Sequence, residues 1–83
     1  MKVLYFAWLR QRVGAGEEEV SPPDAVNTVA ALVAWLKAKS PAHAAAFANI
    51  QAVRVAINQE FADWNAPIAE GDEIAFFPPV TGG

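Results

Sequence analysis

The sequence contains no cysteine, and this absence removes several kinds of chemistry at once. Without thiols the chain has no disulfide framework, no thiol nucleophile and no thiolate metal site. It has a single histidine, His43, which cannot build a zinc site by itself. Because His43 has no acid or nucleophile close to it in the sequence, we expect it to be a surface residue rather than a catalyst.

Basic residues are few and scattered. Six lysines and arginines stand against nine aspartates and glutamates, for a net charge of −3, and no basic stripe is present. Nucleic-acid binding is therefore not expected. The sequence also lacks an apolar run of membrane-spanning length and the layout of a signal peptide. We expect a cytoplasmic protein that binds neither nucleic acid nor membrane.

Conventional active-site motifs are also missing. We find no GxSxG nucleophile elbow, no Walker loop and no cluster of metal ligands. The carboxylates of Glu17, Glu18 and Glu19 fall on a predicted edge strand, where charge discourages the addition of further strands, and we expect them to be solvated. The chain is thus predicted to be non-catalytic by itself, and its best candidate for a reactive group is the carboxylate of the last residue, Gly83.

What the sequence does have is a large apolar fraction in a short chain. Of 83 residues, 54% are hydrophobic, enough for one small domain with little interior. Some apolar side chains should therefore reach the surface, which indicates a partner interface. We predict a domain over residues 1–77 and an extended, flexible tail over residues 78–83.

The spacing of apolar residues predicts two strands, a long helix, a short helix and three further strands. Thr28 is expected to cap the long helix. Ser40 and Pro41 indicate that this helix ends there and that a second helix starts, with Ser40 as its cap and Pro41 at its first position. The predicted elements span, in order, residues 2–9, 17–20, 29–39, 42–48, 53–58, 61–62 and 73–77.

The tail combines an aromatic pair, a proline pair, a short linker and two glycines, in the order Phe76-Phe77-Pro78-Pro79-Val80-Thr81-Gly82-Gly83. Proline cannot donate a hydrogen bond to a neighbouring strand, so the prolines end the sheet and favour a stiff, extended conformation. Glycine has no Cβ, so the tip can enter a channel too narrow for other residues. The aromatic pair should anchor the tail and the prolines should direct it outward.

With this tail, the chain resembles the family of small sulfur-carrier subunits of molybdopterin synthase. The opening segment over residues 2–7, the turn Ala56-Ile57-Asn58-Gln59 and the approach over residues 67–74 match that family in order. The middle of the chain, residues 27–50, matches only as a helix. The resemblance therefore covers the whole chain, and the tail is its specific part.

The resemblance implies an α+β fold of the ubiquitin-like β-grasp type. Such a fold has a mixed five-strand sheet, with one main helix and here a short second helix on one face. The first and last strands would lie side by side and parallel at the centre of the sheet.

The resemblance also implies the chemistry of the tail. An activating enzyme would use ATP, with magnesium, to convert Gly83 to an acyl-adenylate, and a sulfur donor protein would displace AMP to leave a thiocarboxylate. Gly82 would complete the narrow tip. No permanently bound cofactor is implied. The carrier would deliver its sulfur to a cyclic pterin precursor in the large subunit, within a complex of two small and two large subunits.

By analogy with ubiquitin-like strands, Val3, Tyr5, Ile74 and Phe76 belong to the helix-covered face. Phe6 and Phe77 would then point outward to the large subunit, with Arg54 near the rim, since aromatic residues and arginine anchor many interfaces. The opposite assignment of faces stays open from the sequence alone. The remaining expected partner contacts lie in the tail, at Pro78, Pro79, Val80 and Thr81.

Three other functions stay open at this point. One is a sulfur carrier for another pathway, such as thiazole synthesis, which would share Gly-Gly but lack the Phe-Phe-Pro-Pro-Val-Thr segment. Another is a ubiquitin-like modifier joined to protein lysines through the same activated carboxylate. The third is an interaction module of the same fold whose tail is inert.

Overall fold

The computed structural model describes residues 1–79, which form five strands and three α-helices. A short 3₁₀ turn, Ile50–Ala52, precedes the third strand. The elements are β1 (Lys2–Tyr5), α1 (Trp8–Val13), β2 (Glu17–Glu19), α2 (Val29–Lys39), α3 (Pro41–Ala46), β3 (Arg54–Ile57), β4 (Glu60–Ala62) and β5 (Glu73–Phe77).

The strands make one mixed sheet in the order β2-β1-β5-β3-β4. β1 and β5 are parallel, with Val3 opposite Ile74 and Tyr5 opposite Phe76, and the other pairs are antiparallel. This confirms the predicted α+β fold with the first and last strands side by side. β5, which leads into the tail, is the middle strand.

Helix α2 covers one face of the sheet. Thr28 caps it as predicted, because its hydroxyl oxygen accepts a hydrogen bond from the backbone N–H of Ala31 at 3.2 Å. Leu32 and Leu36 recur at helical spacing and are fully buried. The strand residues predicted for the covered face are also buried, which confirms the assignment of faces: Val3, Tyr5, Ile74 and Phe76.

The junction between α2 and α3 follows the predicted stop and restart. Ser40 caps α3, since its Oγ accepts the backbone N–H of His43 at 3.1 Å, and Pro41 takes the first helical position. The helix ends at Ala46, two residues earlier than expected. Phe47 follows it and is buried edge-to-face against Phe76, with ring centroids 4.9 Å apart.

The predicted extent of the first strand is wrong, because β1 ends at Tyr5 and not at Leu9. Ala7 adopts φ 55° and ψ −133°, which turns the chain out of the sheet and into α1. α1 then buries Leu9 completely and ends at Gly14, whose left-handed backbone donates its N–H to the carbonyl of Arg10. The end of the apolar run therefore forms the buried side of a short helix and not a continuation of the strand.

The conformation of Ala7 gives a first testable prediction. A positive φ of this kind is costly for any residue with a Cβ, by about 1–3 kcal/mol, and glycine adopts it freely. We expect Ala7→Gly to raise the free energy of unfolding by about 1 kcal/mol, measured by urea denaturation. The matched control is Ala34→Gly, on the exposed side of α2, which should lower it by a similar amount. Destabilisation by both changes would contradict a strained Ala7.

The turn between β3 and β4 contains two residues with positive φ, Asn58 at 51° and Gln59 at 71°. A two-residue turn of this kind fixes the register of the hairpin, so Ala56 lies opposite Phe61. This register places Phe61 on the face of the sheet that α2 leaves uncovered. Trp64, beyond β4, is partly buried against the core.

Candidate functional site

The tail leaves the sheet from the end of its middle strand. Tyr5 and Phe76 pair in the last parallel step, and the N–H of Phe6 donates to the carbonyl of Phe76 at 3.1 Å. Pro78 and Pro79 follow outside any strand and are half-buried. The root of the tail is thus held by the core. The predicted contacts Val80 and Thr81 and the predicted reactive tip, Gly82 and Gly83, lie outside the described residues.

The uncovered side of the sheet carries small and aromatic residues near this root. Residues paired across neighbouring strands share a face, so the register alone assigns them to one side. We call this set the open face: Leu4, Ala56, Phe61, Ala75 and Phe77. Ala56 is buried, whereas the other four are partly or largely exposed. Exposed apolar residues that lie together in this way are typical of a site that binds another protein.

Phe77, a predicted partner contact, is half-buried at the end of β5 on the open face. Its ring lies 5.7 Å from that of Phe61, a residue the sequence did not single out. Phe61 is 85% exposed, the largest exposed fraction among the large apolar side chains of residues 1–79. The short Asn58-Gln59 turn was the signal that could have placed it opposite Ala56.

Arg54, the predicted rim residue, lies beside the root of the tail. It pairs with Phe77 across the sheet and is exposed. Its Nη1 donates to the carbonyls of Gln51 and Val53, each at 3.0 Å. These two bonds fix the guanidinium and leave its other nitrogens for a partner.

Phe6 is the other predicted contact, and it is 49% exposed just beyond the end of β1. It lines a shallow cavity of about 450 Å³ together with Leu4, Arg10 and Glu17. Leu4 belongs to the open face, so the cavity extends that face toward α1. Phe6, Arg54 and Phe77 therefore all lie around the root of the tail.

On the covered side, a polar network joins β1, β2 and the α2–α3 junction. His43 is 7% exposed, so the expectation that it is a surface residue is wrong. Its Nε2 lies 2.7 Å from Oε2 of Glu18, and its Nδ1 lies 2.6 Å from Oγ of Ser40. Tyr5 donates its hydroxyl to the same carboxylate at 2.9 Å, and Lys39 forms an ion pair with it.

Glu18 is the centre of this network. The prediction that it would be solvated is therefore wrong. Burial acts to raise its pKa, but hydrogen bonds from Lys39, His43 and Tyr5 outweigh burial and hold the pKa below its usual value. Burial, together with the bond to Glu18, raises the pKa of Tyr5, which keeps its hydroxyl protonated as a donor. Glu17 and Glu19, on either side in β2, are exposed as expected.

A second prediction concerns this network. Because folding lowers the pKa of Glu18, its contribution to stability is present above the unfolded value of 4.5 and is lost as the pH falls through the lower folded value. At neutral pH, Glu18→Gln should lower the free energy of unfolding by about 1–3 kcal/mol, measured by urea denaturation.

The control for Glu18→Gln is Glu19→Gln, which removes a carboxylate from the same strand. The Glu19 side chain is 79% exposed, and among the described residues its one ion pair is with the N-terminal amine, at 3.6 Å. Its loss should therefore cost under about 0.5 kcal/mol. Equal effects of the two changes would show that the network adds no stability.

Within residues 1–79 there is no group of three His, Asp or Glu side chains that could hold a metal ion. No helix in this part of the chain is long and apolar enough to cross a membrane.

Comparison with known proteins gives matches over nearly the whole chain. A model of the ThiS family matches residues 3–83. The molybdopterin synthase sulfur carrier subunit of Escherichia coli (strain K12) is 41% identical over 83 residues, covering 100% of this chain and 99% of that protein. The protein of the same name from Haemophilus influenzae is 37% identical, also over 100% of this chain and 99% of its own length.

Solved structures agree with these matches. A putative molybdopterin converting factor subunit 1 from Pyrococcus furiosus has a TM-score of 0.78 at 31% identity, covering 95% of both chains. Small archaeal modifier protein 1 from Haloferax volcanii has a TM-score of 0.72 at 30% identity, covering 96% of this chain and 97% of that one. A subunit in the complex of subunits 1 and 2 of the Helicobacter pylori molybdopterin-converting factor shares the fold, with a TM-score of 0.64 at 24% identity, covering 99% of this chain and 96% of that one.

Proposed function

The chain belongs to the ThiS family, and from this premise we propose that it is the sulfur carrier subunit of a molybdopterin synthase, with Gly83 as the residue that carries the sulfur. The observation that carries the proposal is the position of Pro78 and Pro79, the described root of the tail. They continue the middle strand of the sheet beside an uncovered apolar face. The match to carriers of this name extends over the full chain, tail included.

The chemistry follows from the terminal carboxylate. A carboxylate is a poor electrophile, so it must first be activated. An activating enzyme joins Gly83 to the α-phosphate of ATP and releases pyrophosphate, and a sulfur donor then displaces AMP from the acyl carbon. The product is a thiocarboxylate, whose sulfur is a better nucleophile than the oxygen it replaced.

Transfer takes place in the large subunit of the synthase. The thiocarboxylate sulfur attacks a carbon of the cyclic pterin precursor and forms a C–S bond as a C–O bond at that carbon breaks, and the departing oxygen takes a proton from the large subunit. Water then cleaves the acyl–sulfur bond, which returns the Gly83 carboxylate and leaves the sulfur on the product. The product, molybdopterin, carries a dithiolene group with two sulfurs. Each product therefore needs two sulfur transfers, which fits a complex of two small and two large subunits. The general acids and bases of these steps belong to the large subunit.

The described residues supply the docking surface for this reaction. The open face and Phe6 bind the large subunit, Arg54 lies at the rim, and Pro78 and Pro79 direct Val80, Thr81, Gly82 and Gly83 toward its active site. Glycine at the tip suits a narrow channel, since a Cβ would widen the chain. The domain over residues 1–77 thus acts as a handle, and residues 78–83 act as the reactive arm.

Reconstitution tests the proposal. Purified chain, treated with an activating enzyme, Mg-ATP and a sulfur donor, is mixed with the large subunit and the cyclic precursor. We expect molybdopterin in an amount limited by the thiocarboxylated chain, at two carriers per product. Product formation that does not depend on the chain would overturn the assignment.

A second function is favoured by the likeness to the Haloferax volcanii modifier protein, at 30% identity and a TM-score of 0.72. The same acyl-adenylate could react with a lysine amine and join Gly83 to another protein. A blot for conjugates of high mass decides this, since they would have to disappear when Gly83 is deleted. A thiazole-pathway carrier is less favoured, because the Phe-Phe-Pro-Pro-Val-Thr segment matches the molybdopterin carriers.

A further inference from the structure

The charges of this acidic chain are separated between the two ends of the sheet. β1 and β5 are parallel, so both end at the pole from which the tail leaves. α1 starts directly after β1 and therefore lies at that same pole with its two arginines, Arg10 and Arg12. Arg54 pairs with the last residue of β5 and is the third cation there. We call these three residues the basic collar.

The opposite pole is acidic. Glu73 is the first residue of β5. Glu60 lies at the same end of the sheet, because its partner Ile57 pairs with Ile74, the second residue of β5. Asp24 and Glu70 line a cavity beside Met1, at the start of β1. The acids at this end are Glu19, Asp24, Glu60, Glu70, Asp72 and Glu73. Two acids lie at the tail pole: Glu17, which is paired with Lys2 at 3.3 Å, and Asp63, which follows the end of β4.

Arg10 and Arg12 are available to a partner. Both are exposed, and neither makes an ion pair or a side-chain hydrogen bond within residues 1–79. Arg12 is held over the ring of Trp8, 5.0 Å from its centroid. Arg10 lines the cavity shared with Phe6 and Leu4, so its charge borders the open face.

We propose that the basic collar docks on an acidic rim of the large subunit around the entrance of the channel that receives the tail, and orients the encounter so that the tail arrives first. The inference rests on the proposed function. Beyond that function, it specifies that the partner surface is rich in carboxylates. It also specifies that the basic collar acts on the association step.

The physical argument is electrostatic steering. A chain with net charge −3 would be repelled as a whole by an acidic partner. Because its positive charge is concentrated at one pole, the same field turns that pole toward the partner and the acidic pole away. Charges at the rim of an interface act mainly on the association rate and on its dependence on salt, whereas buried contacts act on dissociation.

The test is the association rate of the chain with the purified large subunit, by stopped flow over a range of salt concentrations. We expect Arg10→Glu with Arg12→Glu to slow association at low salt by about tenfold or more, with a weaker salt dependence and a dissociation rate changed less than about twofold. The neutral pair Arg10→Gln with Arg12→Gln should give an intermediate rate. Thermal melting shows whether charge reversal beside Trp8 impairs folding. If it does, the neutral pair is used in its place to test the effect on association.

The matched control is Glu60→Arg with Glu70→Arg. It changes the net charge by the same amount, in the opposite direction, at two exposed residues of the acidic pole. It should change the association rate far less than the arginine pair does. If it speeds association by as large a factor as the arginine pair slows it, only net charge matters and the collar is overturned. If the unaltered chain does not bind the large subunit at all, the proposed function fails instead, so the two failures are distinct.

Discussion

A chain without Gly83 is expected to transfer no sulfur, and so is a chain with a residue added after it. In the first case the terminal carboxylate is drawn back by one residue, and in the second it is moved beyond the position that the activating enzyme recognises. Either change should reduce molybdopterin formation in the reconstituted reaction below detection, because the activated carboxylate would no longer lie at its position at the end of the Gly-Gly tip.

These two variants should fold like the unaltered chain. The core is formed by residues up to Phe76, and the tail root is held by the bond between Phe6 and Phe76. Urea denaturation should therefore give an unchanged free energy of unfolding, and binding to the large subunit should persist. Full sulfur transfer by a chain truncated at the tip would contradict the assignment of Gly83.

Loss of the aromatic pair on the open face should have the next largest effect. Phe61 and Phe77 lie with ring centroids 5.7 Å apart, and both would be buried by a partner seated on this face. Aromatic residues at the centre of an interface contribute about 2 kcal/mol or more, which is roughly a 30-fold change in Kd. We expect Phe61→Ala and Phe77→Ala each to weaken binding to the large subunit by about that factor, measured by calorimetry.

Phe61 is the more informative of the two residues. Because its side chain is 85% exposed, Phe61→Ala should change the free energy of unfolding by less than about 0.5 kcal/mol. A loss of affinity without a loss of stability would therefore report binding directly. Lys37→Ala, on the outer side of α2, is the control and should leave affinity unchanged. Unchanged affinity in Phe61→Ala and Phe77→Ala would reject the open face as the docking surface.

The sheet could be predicted from the sequence because local patterns and packing agreed. Alternation in the last strand separates Ile74 and Phe76 from Ala75 and Phe77, and this separation is the one found in the structure. The helix cap at Thr28 and the restart at Ser40-Pro41 were also predicted, since capping is decided by neighbouring residues. Where the physics is local, the sequence was enough.

The errors came from contacts that join distant parts of the chain. His43 was predicted to be exposed because no acid lies near it in sequence, yet its partner Glu18 is 25 positions away in a different strand. β1 was predicted too long because nothing in an apolar run shows that Ala7 will take a positive φ. Phe61 was passed over because its face depends on the register of a hairpin.

The candidate site also has features that could be predicted from the sequence and features that could not. The root of the tail and the side on which Phe77 lies could be predicted, since both follow from strand parity and from the prolines. The fixed guanidinium of Arg54 and the basic collar could not, because they depend on where α1 and the 3₁₀ turn lie relative to the end of β5. Three of the six basic residues, which are scattered in the sequence, are gathered at one pole by the fold.

The most direct test of the central claim is the intact mass of the chain after incubation with the activating enzyme, Mg-ATP and a sulfur donor. We predict a gain equal to the exchange of one oxygen for sulfur, located at Gly83 by fragmentation, and its reversal once the large subunit and the cyclic precursor are added. A chain that keeps its original mass while the same enzymes thiocarboxylate a known carrier would contradict the assignment.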